Sequence, residues 1–260
     1  MDRNTPMIWT GQGPVMIGTF DLTNGRPETG YLTNLYRIGC GTSALTTNLS
    51  RQTKQIKESC SGQRLTLKEI ETSKEMTASL SLVEFSGRTL AAAMFGTAGE
   101  QTGAAVVDEE LPPLEAGDYF TLKHPKISAL SIEDSTGTPV AYVEDTHYEI
   151  EDADQARLKL IAHPVAHTEP LLASYTYGTY TNIAAFSAAN VERGIIFNGV
   201  NQDGQKARLI IPRISLAMDG DMGWISEEEA TLSLGGQVLY VAGLDADPIY
   251  GGFARVSFFE

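Results

Sequence analysis

Residues 71–82 read ETSKEMTASLSL, and the fold turns on their parity. Glu71, Ser73, Glu75, Thr77, Ser79 and Ser81 are all polar, while Thr72, Lys74, Met76, Ala78, Leu80 and Leu82 pass from polar to apolar. A period of two is the signature of a strand with one face on a core and the other on water. Six successive Glu, Ser and Thr side chains give that strand a long wet face.

Downstream, Ser86 precedes Gly87-Arg-Thr-Leu-Ala-Ala-Ala-Met-Phe95-Gly96. Ser is a good N-cap, three alanines favour helix and Gly96 offers a stop. Leu90, Ala93 and Met94 share one face, so a short amphipathic helix packed on a sheet is expected. Upstream, VMIGTFD and YLTNLYRIG flank Asn24-Gly25 and Pro27, which predicts an early hairpin. The opening residues 1–14, with Pro6, Gly11, Gly13 and Pro14, predict an extended arm. Residues 40–64 are rich in Ser, Thr, Gln and Lys with few large apolar groups. They predict a long projecting loop or an extended hairpin.

Beyond the helix, 97–118 reads as a polar connection ending in Pro112-Pro113. Strand-like segments then resume: YFTLKHP, KISALSIED, VAYVED, HYEIEDADQARLKLI and LLASYTYGTY. A hairpin turning at Asn201-Gln-Asp203-Gly204 follows, and Pro212 in its second arm implies an edge or a bulge. EEATLSLGGQVLYV and GGFARVSFFE close the chain with strand character. The expected class is mainly β, a sandwich or barrel of packed antiparallel sheets with a short flanking helix. It is read as one domain over 1–260, with 97–180 an elaboration of it.

Composition narrows the function. The chain has 260 residues, 42% of them hydrophobic, and a net charge of −14. That charge should repel nucleic-acid phosphates rather than bind them. The two cysteines, Cys40 and Cys60, cannot build a disulfide framework, and two reduced, partly buried thiols are expected. No basic segment followed by an apolar run opens the chain, so no secretory signal is read. No apolar stretch of membrane-spanning length occurs.

No phosphate-binding glycine loop or nucleophile elbow is present, and no enzyme activity or cofactor is expected. His163-Pro-Val-Ala-His167 with Glu169 has ligand spacing for a helix, but Pro164 and Pro170 disfavour a helix. The run from Asp219 to Glu227 resembles a calcium loop, yet Trp224 stands where glycine must turn and Ala230 where glutamate must ligate. Neither predicts a metal.

The order of these elements resembles the major tail tube proteins of long-tailed, non-contractile bacteriophages. The likeness rests on Glu71 to Phe85, on Leu90 to Gly96, and on Lys206-Ala-Arg-Leu-Ile-Ile-Pro-Arg213 followed by Glu229-Ala-Thr-Leu-Ser-Leu-Gly-Gly236. The resemblance implies packed β-sheets with one helix outside. It implies homohexameric rings stacked into a hollow tube that conducts DNA during ejection. Terminator, tape-measure and distal tail proteins would be its partners, with double-stranded DNA passing unbound. The virion tail would be its location after assembly in the host cytoplasm. Glu71, Ser73, Glu75, Thr77, Ser79 and Ser81 would line the lumen. Thr42, Arg51, Lys54, Lys57, Glu58 and Arg64 would lie in the inter-ring loop. The alternative is a β-sandwich binding module of the phage decoration or adhesin type, taking carbohydrate through Tyr175, Tyr177 and Tyr180.

Overall fold

The computed structural model describes residues 8–189, 191–225, 227–245 and 249–259; residues 1–7 of the expected arm lie outside them. The chain divides into two compact units, Met1–Thr97 with Ile183–Glu260, and Ala98–Asn182. The first opens with β1 (Val15–Phe20), β2 (Leu32–Ile38), β3 (Thr42–Lys57), β4 (Thr66–Leu82) and helix α1 (Gly87–Ala93). Strand β5 (Thr97–Gln101) leads into the second unit. That unit holds β6 (Ala104–Glu110), β7 (Tyr119–Thr121), β8 (Ile127–Asp134), β9 (Ala141–Tyr142), β10 (Tyr148–Asp152), β11 (Arg157–Leu160) and β12 (Leu171–Tyr177). Strand β13 (Tyr180–Ala184) leads out and pairs with β5. The first unit is completed by β14 (Arg193–Val200), β15 (Lys206–Met218), β16 (Leu232–Val238) and β17 (Arg255–Phe259).

The protein is mainly β, as the alternation predicts, and its sheets are antiparallel and open. The large sheet runs β2-β1-β14-β15-β16-β4-β3. Strand β15 serves two partners on its other side: β17 along Lys206–Ile210 and β16 along Ile214–Met218. Pro212 sits at the changeover, where no ladder donor is required of it. Against β14 the register shifts between Arg193 and Ile195, so Pro212 also lies in the bulge its sequence position implies.

The main core cluster of this unit comes from one face of the sheet, and a smaller one of Leu32, Ile196 and Ile210 from the other. Val15, Ile17, Ile195, Ile211, Ile214, Leu216, Leu232, Leu234, Leu80 and Leu82 are buried together. Each fully buried aliphatic side chain contributes roughly 1.5–3 kcal/mol relative to exposure. Helix α1 is capped by Ser86, whose side chain accepts from the Thr89 amide. It buries Thr89, Ala91, Ala92 and Ala93 rather than the larger Leu90 and Met94, which stay half-buried. Gly96 is not the left-handed stop. Phe95 takes that conformation, at φ 49°, and Gly96 is required because a Cβ there would meet the Ala184 carbonyl oxygen at 2.4 Å.

The second unit has its own core. Sheets β10-β11-β7 and β6-β12-β8-β9 contribute Phe120, Tyr148, Leu158 and Leu160 from one and Ile127, Ile132, Leu171, Ala173 and Tyr175 from the other. The stretch expected as an elaboration over 97–180 is therefore a β-structure with a separate hydrophobic cluster.

One local expectation is resolved between its two forms, and two are corrected. Residues 42–57 form no loop; they are a 16-residue strand, making the extended hairpin of the two forms foreseen. The hydrogen bonds come from β4, so the strand needs no apolar alternation of its own. Within 97–118, β5 and β6 are strands, because Ala104–Glu110 ladders onto β12. Cys40 and Cys60 are exposed free thiols, not partly buried ones.

Candidate functional site

From Glu75 to Leu82, β4 alternates as expected: Met76, Ala78, Leu80 and Leu82 are buried, Glu75, Thr77 and Ser79 are exposed, and Ser81 is half-buried. Neighbouring strands continue the wet row sideways. On β16, Ser233 lies opposite Ser81, Gly235 opposite Ser79 and Gln237 opposite Thr77. On β3, Thr46 lies opposite Ser79, Asn48 opposite Thr77 and Ser50 opposite Glu75. On β15, Ser215 lies opposite Gln237 and Ala217 opposite Gly235. Directly opposed residues share a sheet face. Four strands thus present hydroxyls, amides, alanine and glycine, with no aromatic ring and no cation at these positions.

The hydroxyls engage one another, Thr46 Oγ1 and Ser79 Oγ lying 2.6 Å apart. A shallow depression of about 540 Å³ runs over this face, bordered by Thr46, Asn48, Thr77, Ser79, Asp219 and Gly235. Gly235 leaves room for the Asp219 carboxylate, which a Cβ would meet at 2.6 Å. Asp219 and Glu75 thus give the face its charge, and both are negative.

Glu71 does not belong to the row. The β3–β4 register shifts between Gln52 and Thr53, where Gln52 faces Ser73 and Thr53 faces Glu71. Thr72 is the extra residue. A bulge of this kind displaces the alternation by one. Glu71 then turns to the side that carries Met76 and Lys74, and it pairs with Lys74 at 3.0 Å and with Arg51 at 3.8 Å. Ser73, still on the near side of the bulge, is half-buried.

The six loop residues are strung along one hairpin rather than gathered. Thr42 starts β3 opposite Leu82, Arg51 lies opposite Lys74, Lys54 opposite Ile70 and Lys57 opposite Thr66. Glu58 organises the turn: its carboxylate accepts from the Cys60 and Ser61 amides and from the Ser61 hydroxyl. These bonds, the Ser61 hydroxyl first, hold its acid well below the usual range, at about 2. Arg64 closes the turn in the left-handed region at φ 51°. A strand of 16 residues spans about 50 Å, and its outer half touches no core. Leu49 and Leu67 are 75% and 72% exposed there. Beyond the bulge, Lys54, Ile56, Lys68 and Ile70 share one face, a mixed cationic and apolar strip.

The tyrosines singled out for a binding module form no exposed patch. Tyr175 is 3% exposed and its hydroxyl donates to Glu109. Tyr177 stacks on His124 at 4.0 Å, and Tyr180 bonds the same imidazole. The calcium-like run from Asp219 puts its first carboxylate over Gly235 on the sheet face instead.

A family model described as protein of unknown function UCP028589 matches residues 8–257, and the chain belongs to that family. No curated protein matches it.

Proposed function

We propose that this member of the UCP028589 family is the structural subunit of a viral tail tube. Six copies close into a ring, and rings stack into a hollow conduit for double-stranded DNA. One observation carries the reading: a sheet face four strands wide whose paired positions offer small polar groups, alanine, glycine and a carboxylate, with no aromatic ring and no cation. A wall for a moving polyanion needs such a surface. Carboxylates repel phosphates at short range, and hydroxyls, amides and glycine give bases nothing to stack on. The net charge of −14 has the same sign.

Two further features support assembly. Among the described residues the large sheet ends at β2 and β3, and ring closure would remove the liability of such edges. The hairpin beyond the bulge carries exposed isoleucines and leucines that a second copy would cover.

Negative-stain electron microscopy of the purified protein tests the proposal. Rings or tubes with a central channel are expected, and a monomer at every concentration would refute it. Replacing residues 53–71 by a tight turn leaves the core-facing parts of β3 and β4 in place, and should stop stacking without unfolding the first unit.

A further inference from the structure

His163, His167 and Glu169 stand out by geometry rather than by sequence pattern. Prolines keep them off a helix, yet the turn between β11 and β12 brings one ligand atom from each within 4.8 Å of the others. His163 Nε2 lies 2.8 Å from the Leu114 carbonyl oxygen. A carbonyl can only accept, so Nε2 carries the proton and Nδ1 keeps its lone pair. A backbone carbonyl holding one imidazole N–H is the arrangement that orients metal-ligating histidines and raises their basicity. Nδ1 now accepts from the Tyr142 hydroxyl at 2.8 Å, a neutral donor that a cation can displace.

His167 is exposed and stacks on His163 at 4.0 Å with the rings 7° apart. Parallel rings cannot both point their lone pairs at one ion. An exposed side chain can turn, however, whereas His163 is held at both nitrogens. Glu169 supplies the negative charge, and its carboxylate accepts a long contact from the Leu114 amide, at 3.4 Å.

We propose that His163, His167 and Glu169 form a binding site for a borderline-soft divalent cation of the zinc class. Two imidazoles and one carboxylate are a zinc donor set, with water completing the tetrahedron. The hard cations calcium and magnesium, which prefer oxygen, are excluded by the same donors. Bound metal would clip the turn before β12 and so tighten the second unit.

Titration of the untagged full-length chain with zinc chloride by calorimetry tests this, with cobalt chloride followed by visible absorption as a second readout. One ion per chain is expected, together with a cobalt spectrum of low coordination number. His167→Ala alters only an exposed side chain, so it should fold as the parent does and lose the binding. His124→Gln, outside the cluster, should keep it. The absence of zinc binding by the parent chain, or undiminished binding by His167→Ala, would overturn the proposal.

Discussion

Glu71 and Lys74, three positions apart in one strand, meet at 3.0 Å. In a regular strand such residues point to opposite faces. Thr72 is the reason they do not, because it has no partner of its own between Gln52–Ser73 and Thr53–Glu71. The β4 side chains beyond Thr72 are thereby placed one face away from where simple alternation would put them, while those of β3 keep theirs. Deleting Thr72 should restore a regular ladder with the same partners, Ser73 on Gln52 and Glu71 on Thr53, and leave each side chain beyond that point on its present face. The first unit should keep its thermal transition, since the buried part of β4 begins at Met76. Rings should still stack, because Lys54, Ile56, Lys68 and Ile70 keep their partners and their face. Calorimetry and electron microscopy check the two outcomes.

The first unit's stability rests on β4 and on the helix cap. Leu80 is 1% exposed within the main cluster, and Leu80→Ala should cost about 2–5 kcal/mol through lost burial and a cavity. Ser86→Ala removes the bond to the Thr89 amide and should cost about 1 kcal/mol. Urea denaturation followed by circular dichroism measures both, and the larger loss belongs to the leucine.

Much of this fold could be read from the chain, for identifiable reasons. Met76 to Leu82 alternate because one face is fully buried, so packing had written itself into the residue types. The N-cap at Ser86, the turn at Asn201 and the bulge at Pro212 depend on local backbone chemistry and are equally visible. Strand β3 left no such mark. Beyond Leu49 neither of its faces meets a core, so selection for apolar alternation is absent and Thr, Ser and Gln look like loop. The Thr72 bulge is invisible for a related reason: threonine suits a regular strand as well as a bulged one, and only the partner strand reveals the shift. Of the six-residue row on β4, Ser73, Glu75, Thr77, Ser79 and Ser81 hold as one face, while Glu71 departs with the bulge. The neighbours that widen the face, Thr46, Asn48, Ser233 and Gln237, come from strands far apart in sequence, and their register could not be known without the sheet. His163 and His167 carry the ligand spacing of a helix, which the prolines forbid, whereas a turn brings the same residues together.

Asp134 makes the second unit sensitive to acid. Its side chain is buried and accepts from the Val140, Thr136 and Thr168 amides and the Thr136 hydroxyl. These bonds, Val140 first, hold its acid below the ordinary value of 3.8 against the opposing effect of burial. A carboxylate with a depressed folded value stabilises above its unfolded value and loses that contribution as pH falls through the folded one. The second unit should therefore weaken as pH drops below about 3.8. Asp134→Asn should lower its melting temperature at neutral pH and flatten the acid dependence, because an amide nitrogen would oppose backbone donors. Thermal melts of parent and variant across the acid range check both.

The sheet face itself can be tested by reversing its charge. Ser79 is exposed at the middle of the polar row, opposite Gly235 on one side and Thr46 on the other. Glycine and threonine are small, so Ser79→Lys has room and should change stability by no more than about 0.5 kcal/mol. Assembled into rings of six, the variant would set a belt of six ammonium groups in the channel. Parent tubes should release double-stranded DNA at low salt, while tubes of the variant should retain it. Retention should fall steeply as salt is raised, because each neutralised phosphate gives up a counterion. Co-sedimentation of labelled DNA with the tubes at two salt concentrations reads this directly. A lysine on an outer surface would hold DNA on the outside of tubes, so brief nuclease treatment before sedimentation distinguishes the wall from the exterior: DNA held in the channel survives it.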